Sequence, residues 1–439
     1  MPKLTMESLR LSNLLSAIRE EFCKIPDRRS PESSAFAFPL PDILMSGLAM
    51  MFLQDPSLLA FQRHLHERHR RNNLQTIFHV NEVPGDSQFR RLLDPIEPYH
   101  LLKALNLCIH KLQPTKFWKE FRVLDGRYAV IFDGFEFFRS SRKGCSHCLE
   151  FNHKDGHVDY AHKALAVAFA NPLKKLPIPI IVEEIRQEDG KTKQDCEMNA
   201  AKRIIPELAK QHSHMSMVIV ADDLFSKLPI VKQIESSGME YILVAKPADH
   251  QHIEENLTGI RKTGGVEHLK FKNDDGSVHE YEWAHDLELV GKSDYKTHWF
   301  ACKIISKAGK TYKNSWITNI KPTRYNIKEL VSVGRSRWQI ENQVFDLLKN
   351  HGQHLEHNFG HGKEHLAFNF IILNFIAYML QQILKMSDRL YNLTLEWMGP
   401  RYEFWESIRA LIHFFIWADW ESLLKHMLDG DDESALDSS

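Results

Sequence analysis

Apolar residues recur at helical spacing through residues 9–22 and 39–61, and again from residue 366 to about residue 425. This spacing predicts α-helices at both ends of the chain. The middle differs, because short apolar runs rich in β-formers alternate there with helical patterns. The predicted strands are residues 128–135, 136–140, 164–170, 178–185, 215–222 and 241–247, and the predicted helices are residues 194–212 and 227–236. Strands followed by alternating helices and strands predict a mixed α/β sheet covered by helices.

The alternation stops between residues 253 and 325, where polar turns separate four more strand-like runs. This pattern predicts an antiparallel β insertion. The next stretch, residues 337–349, is predicted to form one helix in which Trp338, Phe345 and Leu348 make an apolar stripe. Trp338 is therefore expected to be a core residue.

The changes of periodicity near residues 120, 250 and 325 predict the domain organisation. We expect a helical region before an α/β core, and C-terminal helices after it. The acidic tail, rich in small residues, is expected to be disordered. The predicted bounds are 1–120 for the helical region, 121–250 and 326–385 for the core, 251–325 for the insertion, 386–428 for the C-terminal helices and 429–439 for the tail.

Composition narrows the classes of protein. The 439 residues are 43% hydrophobic and 26% charged, which is ordinary for a globular protein. Residues 1–30 lack the apolar segment of a signal peptide, and the six cysteines are scattered, so we expect a cytoplasmic protein. The most apolar run, residues 366–384, contains two Asn and two Gln, which favours a core helix over a membrane span.

The net charge of −1 argues against a chain that is basic throughout, but basic residues concentrate at residues 63–71. A helix presenting Arg68, Arg70 and Arg71 could neutralise DNA phosphates. A solvated helix face with no ligand explains the same run equally well.

Three carboxylates stand where a metal site could form. Asp133 and Asp222 each end a central apolar strand, and Glu341 lies close to the apolar stripe of a helix. Oxygen ligands without nearby Cys or His suit Mg²⁺ or Mn²⁺, and a pair of such ions supports phosphoryl transfer. The alternative for Glu341 is an ordinary ion pair with Arg337, one helical turn away. Asp223 competes with Asp222 for its position, and Asp125 is a weaker rival of Asp133.

These three carboxylates resemble the arrangement of the ribonuclease H-like fold. Over roughly residues 80–385 the sequence resembles DDE transposases of bacterial insertion sequences, specifically the group with a Tyr-x2-Arg-x3-Glu-x6-Lys signature. The matching stretches are Asp133-Gly134, Asp222, residues 337–341, residues 193–197 and residues 355–362. The resemblance implies a homodimer that cuts and joins transposon ends with two divalent metals. It further implies Asp133, Asp222 and Glu341 as ligands and Arg337 as a contact to the DNA end.

Two positions depart from that signature. Gly334 stands where the group has Tyr, and Leu348 stands where it has Lys, with Lys349 one residue late. One step rotates a helical side chain by about 100°, although the long stem of Lys349 could still reach a phosphate. Two other functions therefore remain open: a ribonuclease H-like nuclease without strand transfer, and a DNA-binding descendant without catalysis.

A second metal site is suggested by Cys145 and Cys148, whose spacing is that of half a zinc site. The sequence offers Cys196, His153, His157 or His162 to complete it, and a reduced thiol pair in a turn is the alternative. Four further histidines recur at near-helical spacing that Gly360 and Gly362 interrupt, and we expect that loop to contact the DNA backbone rather than a metal. They are His354, His357, His361 and His365.

Overall fold

The computed structural model describes residues 6–30, 32, 34–65, 68–142, 144–190, 193–291 and 294–429. The first part is helical, as the apolar spacing predicts. Its helices are α1 (Leu11–Cys23), α2 (Leu40–Phe52), α3 (Leu58–Leu65), α4 (Arg68–Phe78), α5 (Asp86–Leu93), α6 (Pro98–Leu112) and α7 (Lys116–Lys119). The disordered tail was predicted over residues 429–439; Asp429 instead ends the last helix, and residues 430–439 lie outside the described residues.

A mixed sheet follows. Its strands are β1 (Arg122–Val123), β2 (Arg127–Ser140), β3 (Leu149–Asn152), β4 (Val158–Asn171), β5 (Lys174–Ile185), β6 (Met217–Ala221) and β7 (Glu240–Val244). Helices α8 (Lys193–Gln211) and α9 (Leu228–Ser236) connect the last three. The order at the centre is β5-β4-β2-β6-β7, with β4 antiparallel to its neighbours and β2, β6 and β7 parallel. The predicted ribonuclease H-like α/β fold is thus confirmed.

The predicted β insertion contains α10 (Gln251–Lys262) and four antiparallel strands: β8 (Glu267–Lys272), β9 (Val278–Glu288), β10 (Lys296–Ile305) and β11 (Thr311–Thr318). It does not form a sheet of its own. Strand β11 pairs with β7, with Trp316 opposite Val244, so the described residues form one eleven-stranded sheet.

The chain then returns as helices α11 (Ile327–Arg335), a π-helical segment (Ile340–Phe345) and α12 (Asp346–Asn350). The predicted helix over residues 337–349 is present as a continuous helical run over residues 338–350, but its segment Ile340–Phe345 is π-helical. Ile340, Val344 and Leu348 fill the core, while Trp338 in the first turn is 39% exposed. Trp338 is not the core residue that α-helical spacing predicts.

The last helices are α13 (Leu366–Ser387), α14 (Arg389–Met398), α15 (Arg401–Phe414) and α16 (Trp420–Asp429). Among the described residues only α13 is long and apolar enough to cross a membrane, and its apolar window is fully buried inside the protein. Its polar side chains bind loop carbonyls instead of lipid. The amide of Asn369 donates to Leu93 O and Ile96 O, and that of Gln381 donates to Phe52 O. The helix is a core element, as expected.

The structure explains why residue 334 is a glycine. A Cβ at residue 334 would lie 2.9 Å from the Trp316 ring and 3.1 Å from Ile242 Cγ2. Helix α11 therefore packs directly on strands β7 and β11, and the indole of Trp316 fills the space beside it. A tyrosine side chain has no room at this position.

We predict that Gly334→Ala destabilises the protein by about 1–3 kcal/mol, because the added methyl group overpacks a rigid contact. Gly259, in the exposed part of α10, has no neighbouring atom within 4 Å of such a Cβ and serves as the control. Gly259→Ala should raise stability by up to about 1 kcal/mol, since it restricts the unfolded chain. Urea unfolding of both variants tests this; equal midpoints would contradict the packing argument.

Candidate active site

The two aspartates come from neighbouring parallel strands. In the register of β2 and β6, Ile131 lies opposite Val220, so Asp133 and Asp222 each follow two residues later. The Asp133 side chain is 16% exposed, and its Oδ1 accepts a hydrogen bond from the Gly134 amide. Asp222 follows β6 directly, and its Oδ1 accepts one from the Leu224 amide. Strand pairing thus brings both carboxylates to one edge of the sheet.

Glu341 reaches the same edge from the π-helical segment. Arg337 Nη1 lies 2.8 Å from Glu341 Oε1 and 3.4 Å from Asp133 Oδ2, so one guanidinium nitrogen joins the two carboxylates. The expected ion pair between Arg337 and Glu341 is present, and it forms part of the cluster instead of replacing it. Glu341 is 47% exposed, which leaves the cluster open to solvent on its side.

Packing next to the cluster holds the helix in place. Phe135 lies on the same face of β2 as Asp133, two residues along. Its ring centroid is 4.9 Å from that of Phe345, four residues beyond Glu341. The Gln339 amide also donates to Asn171 O at the end of β4, over 2.8 Å. These contacts on both sides of Glu341 fix its position relative to Asp133.

The cluster concentrates negative charge in a poorly solvated place. Burial raises the pKa of Asp133 to about 7; Arg337 opposes this, while Glu341 and Asp222 add to it. Burial also raises the pKa of Asp222, again against the influence of Arg337, and the neighbouring Asp223 contributes. Carboxylates whose pKa values rise in this way need additional positive charge to ionise fully. A divalent cation bound to oxygen ligands fits this need.

The two rival aspartates have other surroundings. Asp223 Oδ1 lies 2.5 Å from Lys246 Nζ. Burial alone would raise the pKa of Asp223, but its bonds to Lys246 and Asp249 outweigh burial and lower it. Asp125 precedes β2, where its side chain is 96% exposed and lies 4.0 Å from Arg127. Neither shares the contacts of Arg337 with the cluster.

The predicted DNA-binding residues lie elsewhere. Lys349 Nζ is 2.8 Å from Glu356 Oε1, so in this structure Lys349 pairs with the loop that follows α12. The backbone of Arg68, Arg70 and Arg71 belongs to α4, but their side chains lie outside the described residues.

Sequence reasoning gave no role to Glu197, in the first turns of α8. This side chain is 5% exposed, and a Cβ on Gly134 would lie 2.8 Å from its Cδ. The absence of a side chain at residue 134 thus lets a fourth carboxylate approach the strand beside Asp133. A glycine within a strand is the signal of such close approach, and Asp133-Gly134 carries it in the sequence.

The structure also brings four Cys and His residues together away from the carboxylates. Cys145 and Cys148 meet His162, as one sequence alternative proposed, and His361, which was expected to contact DNA. His153 and His157 form a separate exposed group with Asp159, and the Cys196 side chain lies outside the described residues.

The fold and the carboxylate cluster together define a ribonuclease H-like protein with a candidate cation site. Residues 197–380 match the family model of the transposase DDE domain. The match covers somewhat less than half of the chain and includes Asp222 and Glu341, while Asp133 precedes it. It supports a DDE transposase, a class that acts on DNA and generally uses divalent metals. No curated protein matches the chain significantly.

The raised pKa of Asp133 predicts a pH-dependent stability. Because its folded-state pKa of about 7 exceeds the ordinary 3.8, the folded protein binds this proton more tightly than the unfolded chain does. The associated stability is present below about pH 4 and is lost as the pH rises through 7. Asp133→Asn should therefore raise the melting temperature at pH 8 relative to the parent protein, with the difference shrinking towards pH 4.

Asp346→Asn is the control, because hydrogen bonding to Asn350 lowers the pKa of Asp346 and the sign reverses. This variant should not gain stability at pH 8. Mg²⁺ or Mn²⁺ should raise the melting temperature of the parent protein at pH 8 more than that of Asp133→Asn, since a ligand stabilises the state that binds it. Equal shifts by the cation in the two proteins would argue against Asp133 as a ligand.

Proposed function

We propose that this chain is an insertion-sequence transposase that binds transposon ends and catalyses metal-dependent DNA cleavage and strand transfer. The observation that carries the proposal is the convergence of Asp133, Asp222 and Glu341 around Arg337 at one edge of a ribonuclease H-like sheet. Two of these three carboxylates lie within the segment that matches the transposase DDE domain.

In this proposal Asp133, Asp222 and Glu341 hold Mg²⁺ or Mn²⁺. The bound ions would activate a water or a DNA 3′-hydroxyl and stabilise the leaving oxygen. The two aspartates come from paired strands and provide a rigid base. The more exposed Glu341 lies on the open side, where the scissile phosphate can approach.

Arg337 has a second role here. In this structure its guanidinium partly compensates the carboxylates. Cations at the same place would take over that compensation, which frees the guanidinium for a phosphate of the DNA end. Lys349 and the basic helix face with Arg68, Arg70 and Arg71 would supply further phosphate contacts. The acting form would be a homodimer on double-stranded DNA, bound to the inverted repeats and the target, in the bacterial cytoplasm.

One departure from the signature does not favour a non-catalytic descendant. A Cβ at residue 334 would lie 2.9 Å from the Trp316 ring, so the packing of α11 gives a reason for Gly334 that does not involve the carboxylates. A nuclease without strand transfer would use the same carboxylates. A strand-transfer assay with pre-cleaved ends separates these two functions.

Glu341→Gln tests the chemistry. The change keeps the volume but removes a charge, so we predict a loss of at least about 10²–10³-fold in the cleavage rate of a labelled duplex carrying the element's ends. DNA binding should persist, because duplex contacts come mainly from basic side chains. Asp346→Asn is a matched control: Asp346 lies in the next turn at 45% exposure but pairs with His351. Cleavage by Glu341→Gln at the parent rate would refute the proposed triad.

The two aspartates should follow the same rule. Asp133→Asn and Asp222→Asn should each lower the cleavage rate to a similar extent. The double variant should be no slower than either single variant, because both changes disable the same site. Asp223→Asn should be milder, since its partner is Lys246. Ca²⁺ should support binding without cleavage, and Mn²⁺ should restore part of the activity of the weakened variants. If Asp223→Asn lost cleavage activity and Asp222→Asn kept it, Asp223 and not Asp222 would be the metal ligand.

The salt dependence of DNA binding tests the role of the basic residues in the run 63–71. Replacing Arg68, Arg70 and Arg71 by Ala should weaken binding to all DNA sequences and reduce the salt dependence by up to about one unit of slope per lost phosphate contact. The loss should be the same with and without Mg²⁺. An unchanged slope would assign these residues to a solvated helix face.

A further inference from the structure

Two cysteines and two histidines outside the active site face one another at close range. Cys145 and Cys148 lie in the turn before β3, His162 lies on β4, and His361 lies in the loop of residues 351–365 between α12 and α13. Cys148 and His162 are buried, and the other two are partly buried. All four ligand atoms lie within 4.8 Å of one another.

The distances are those of a tetrahedron around a metal ion. The sulfurs are 3.7 Å apart, and the two histidine Nε2 atoms are 3.2 Å apart. His162 Nε2 lies 3.5 Å from Cys145 Sγ and 3.3 Å from Cys148 Sγ, and His361 Nε2 lies 3.2 Å from Cys148 Sγ. Tetrahedral zinc with ordinary bond lengths implies about 3.8 Å between sulfurs, about 3.5 Å from sulfur to nitrogen and about 3.3 Å between nitrogens.

Both imidazoles are oriented to offer Nε2 to a metal. His162 Nδ1 lies 3.2 Å from Glu184 Oε1, and His361 Nδ1 donates to Gly362 O over 3.0 Å. A proton at Nδ1, next to a carboxylate for His162 and bonded to a carbonyl for His361, leaves the Nε2 lone pair free, as is usual for zinc-bound histidines.

Neither a disulfide nor a reduced thiol pair accounts for the cluster. The sulfurs are much farther apart than the roughly 2.0 Å of a disulfide. A reduced thiol pair in a turn would not need two histidines brought from distant parts of the chain with their Nε2 atoms in contact. Two thiolates and two imidazoles also form a complete zinc ligand set.

We propose that Cys145, Cys148, His162 and His361 form a closed structural zinc site that fastens the loop of residues 351–365 to the β2–β4 hairpin. Four protein ligands leave no open position, so the site is structural and not catalytic. The loop has other anchors: Arg90 Nε donates to Phe359 O, and Asp94 accepts from the amides of Lys363, Glu364 and Leu366. This inference stands independently of the proposed function.

Metal analysis of the full-length protein, purified without added metal or chelator, tests the site. We expect close to one zinc per chain in the parent protein and less than about one fifth of that in Cys148→Ser and His361→Asn. His357→Asn, in the same loop, and His153→Asn, in the exposed histidine group, should keep the zinc of the parent. Zinc that is absent from the parent, or lost with His153→Asn and kept with His361→Asn, would overturn the proposal.

Two measurements on the parent protein avoid the risk that a variant fails to fold. Replacing zinc by Co²⁺ should give the intense visible absorption of tetrahedral cobalt together with thiolate charge-transfer bands in the near ultraviolet. A strong chelator should lower the melting temperature and open residues 351–365 to proteolysis, because metal-binding energy is folding energy. A chelated protein with unchanged melting and cleavage would refute the structural role. Glu341→Gln should retain full zinc, which separates this outcome from failure of the proposed active site.

Discussion

The burial of Asp133 and Asp222 close to each other and to Glu341 is the constraint on which this structure depends. Burial raises the pKa values of both aspartates, and like charges nearby add to the effect. A protein selected only for stability would have replaced these groups by apolar ones. Here parallel pairing of β2 with β6 and the packing of Phe135 on Phe345 hold them together. Buried carboxylates held this close together are expected where a bound cation or a catalysed reaction requires their negative charge.

The positive charge of Arg337 partly offsets the cost of placing these carboxylates together. Its guanidinium contacts Asp133 and Glu341 simultaneously. The residue lies in the short turn between α11 and the π-helical segment, so its position depends on how α11 rests on the sheet. That contact runs through Gly334 and Trp316, and Trp316 belongs to β11 of the insertion. The insertion therefore extends the sheet and also supports the segment that carries the third carboxylate.

The sequence predicted best those structural features that depend on residues close to one another along the chain. Apolar runs before Asp133 and Asp222 predicted the central strands and the candidate ligands, and the ribonuclease H-like fold followed. The separate strands predicted at residues 128–135 and 136–140 are wrong, because β2 runs through Asp133 to Ser140 as one strand. The sequence was less informative about the π turn, since one extra residue per turn is invisible in a stretch as short as residues 337–349.

Contacts between distant parts of the chain were harder still to predict. His361 and Cys148 are 213 residues apart, and the glycines around His361 pointed to a loop without showing what the loop meets. Glu197 approaches Gly134 through the packing of α8 on the sheet; the glycine within the strand signals a close approach but does not show which residue approaches. The sequence could propose half of a zinc site, but only the folded chain selects His162 over His153 and His157 and adds His361.

The two candidate metal sites differ enough in chemistry to bind different ions in one protein. Thiolate and imidazole ligands favour zinc, whereas carboxylates favour Mg²⁺ or Mn²⁺, and zinc binds nitrogen and sulfur sites more tightly than Mn²⁺ does. Millimolar Mg²⁺ would not displace zinc from the cysteine site, and exchange of Mg²⁺ for Mn²⁺ at the carboxylates would leave it intact. The loop of residues 351–365 joins the two regions, because it begins after α12, beyond Glu341, and ends at α13. A zinc ion at His361 would therefore limit the motion of the chain that follows Glu341 and α12.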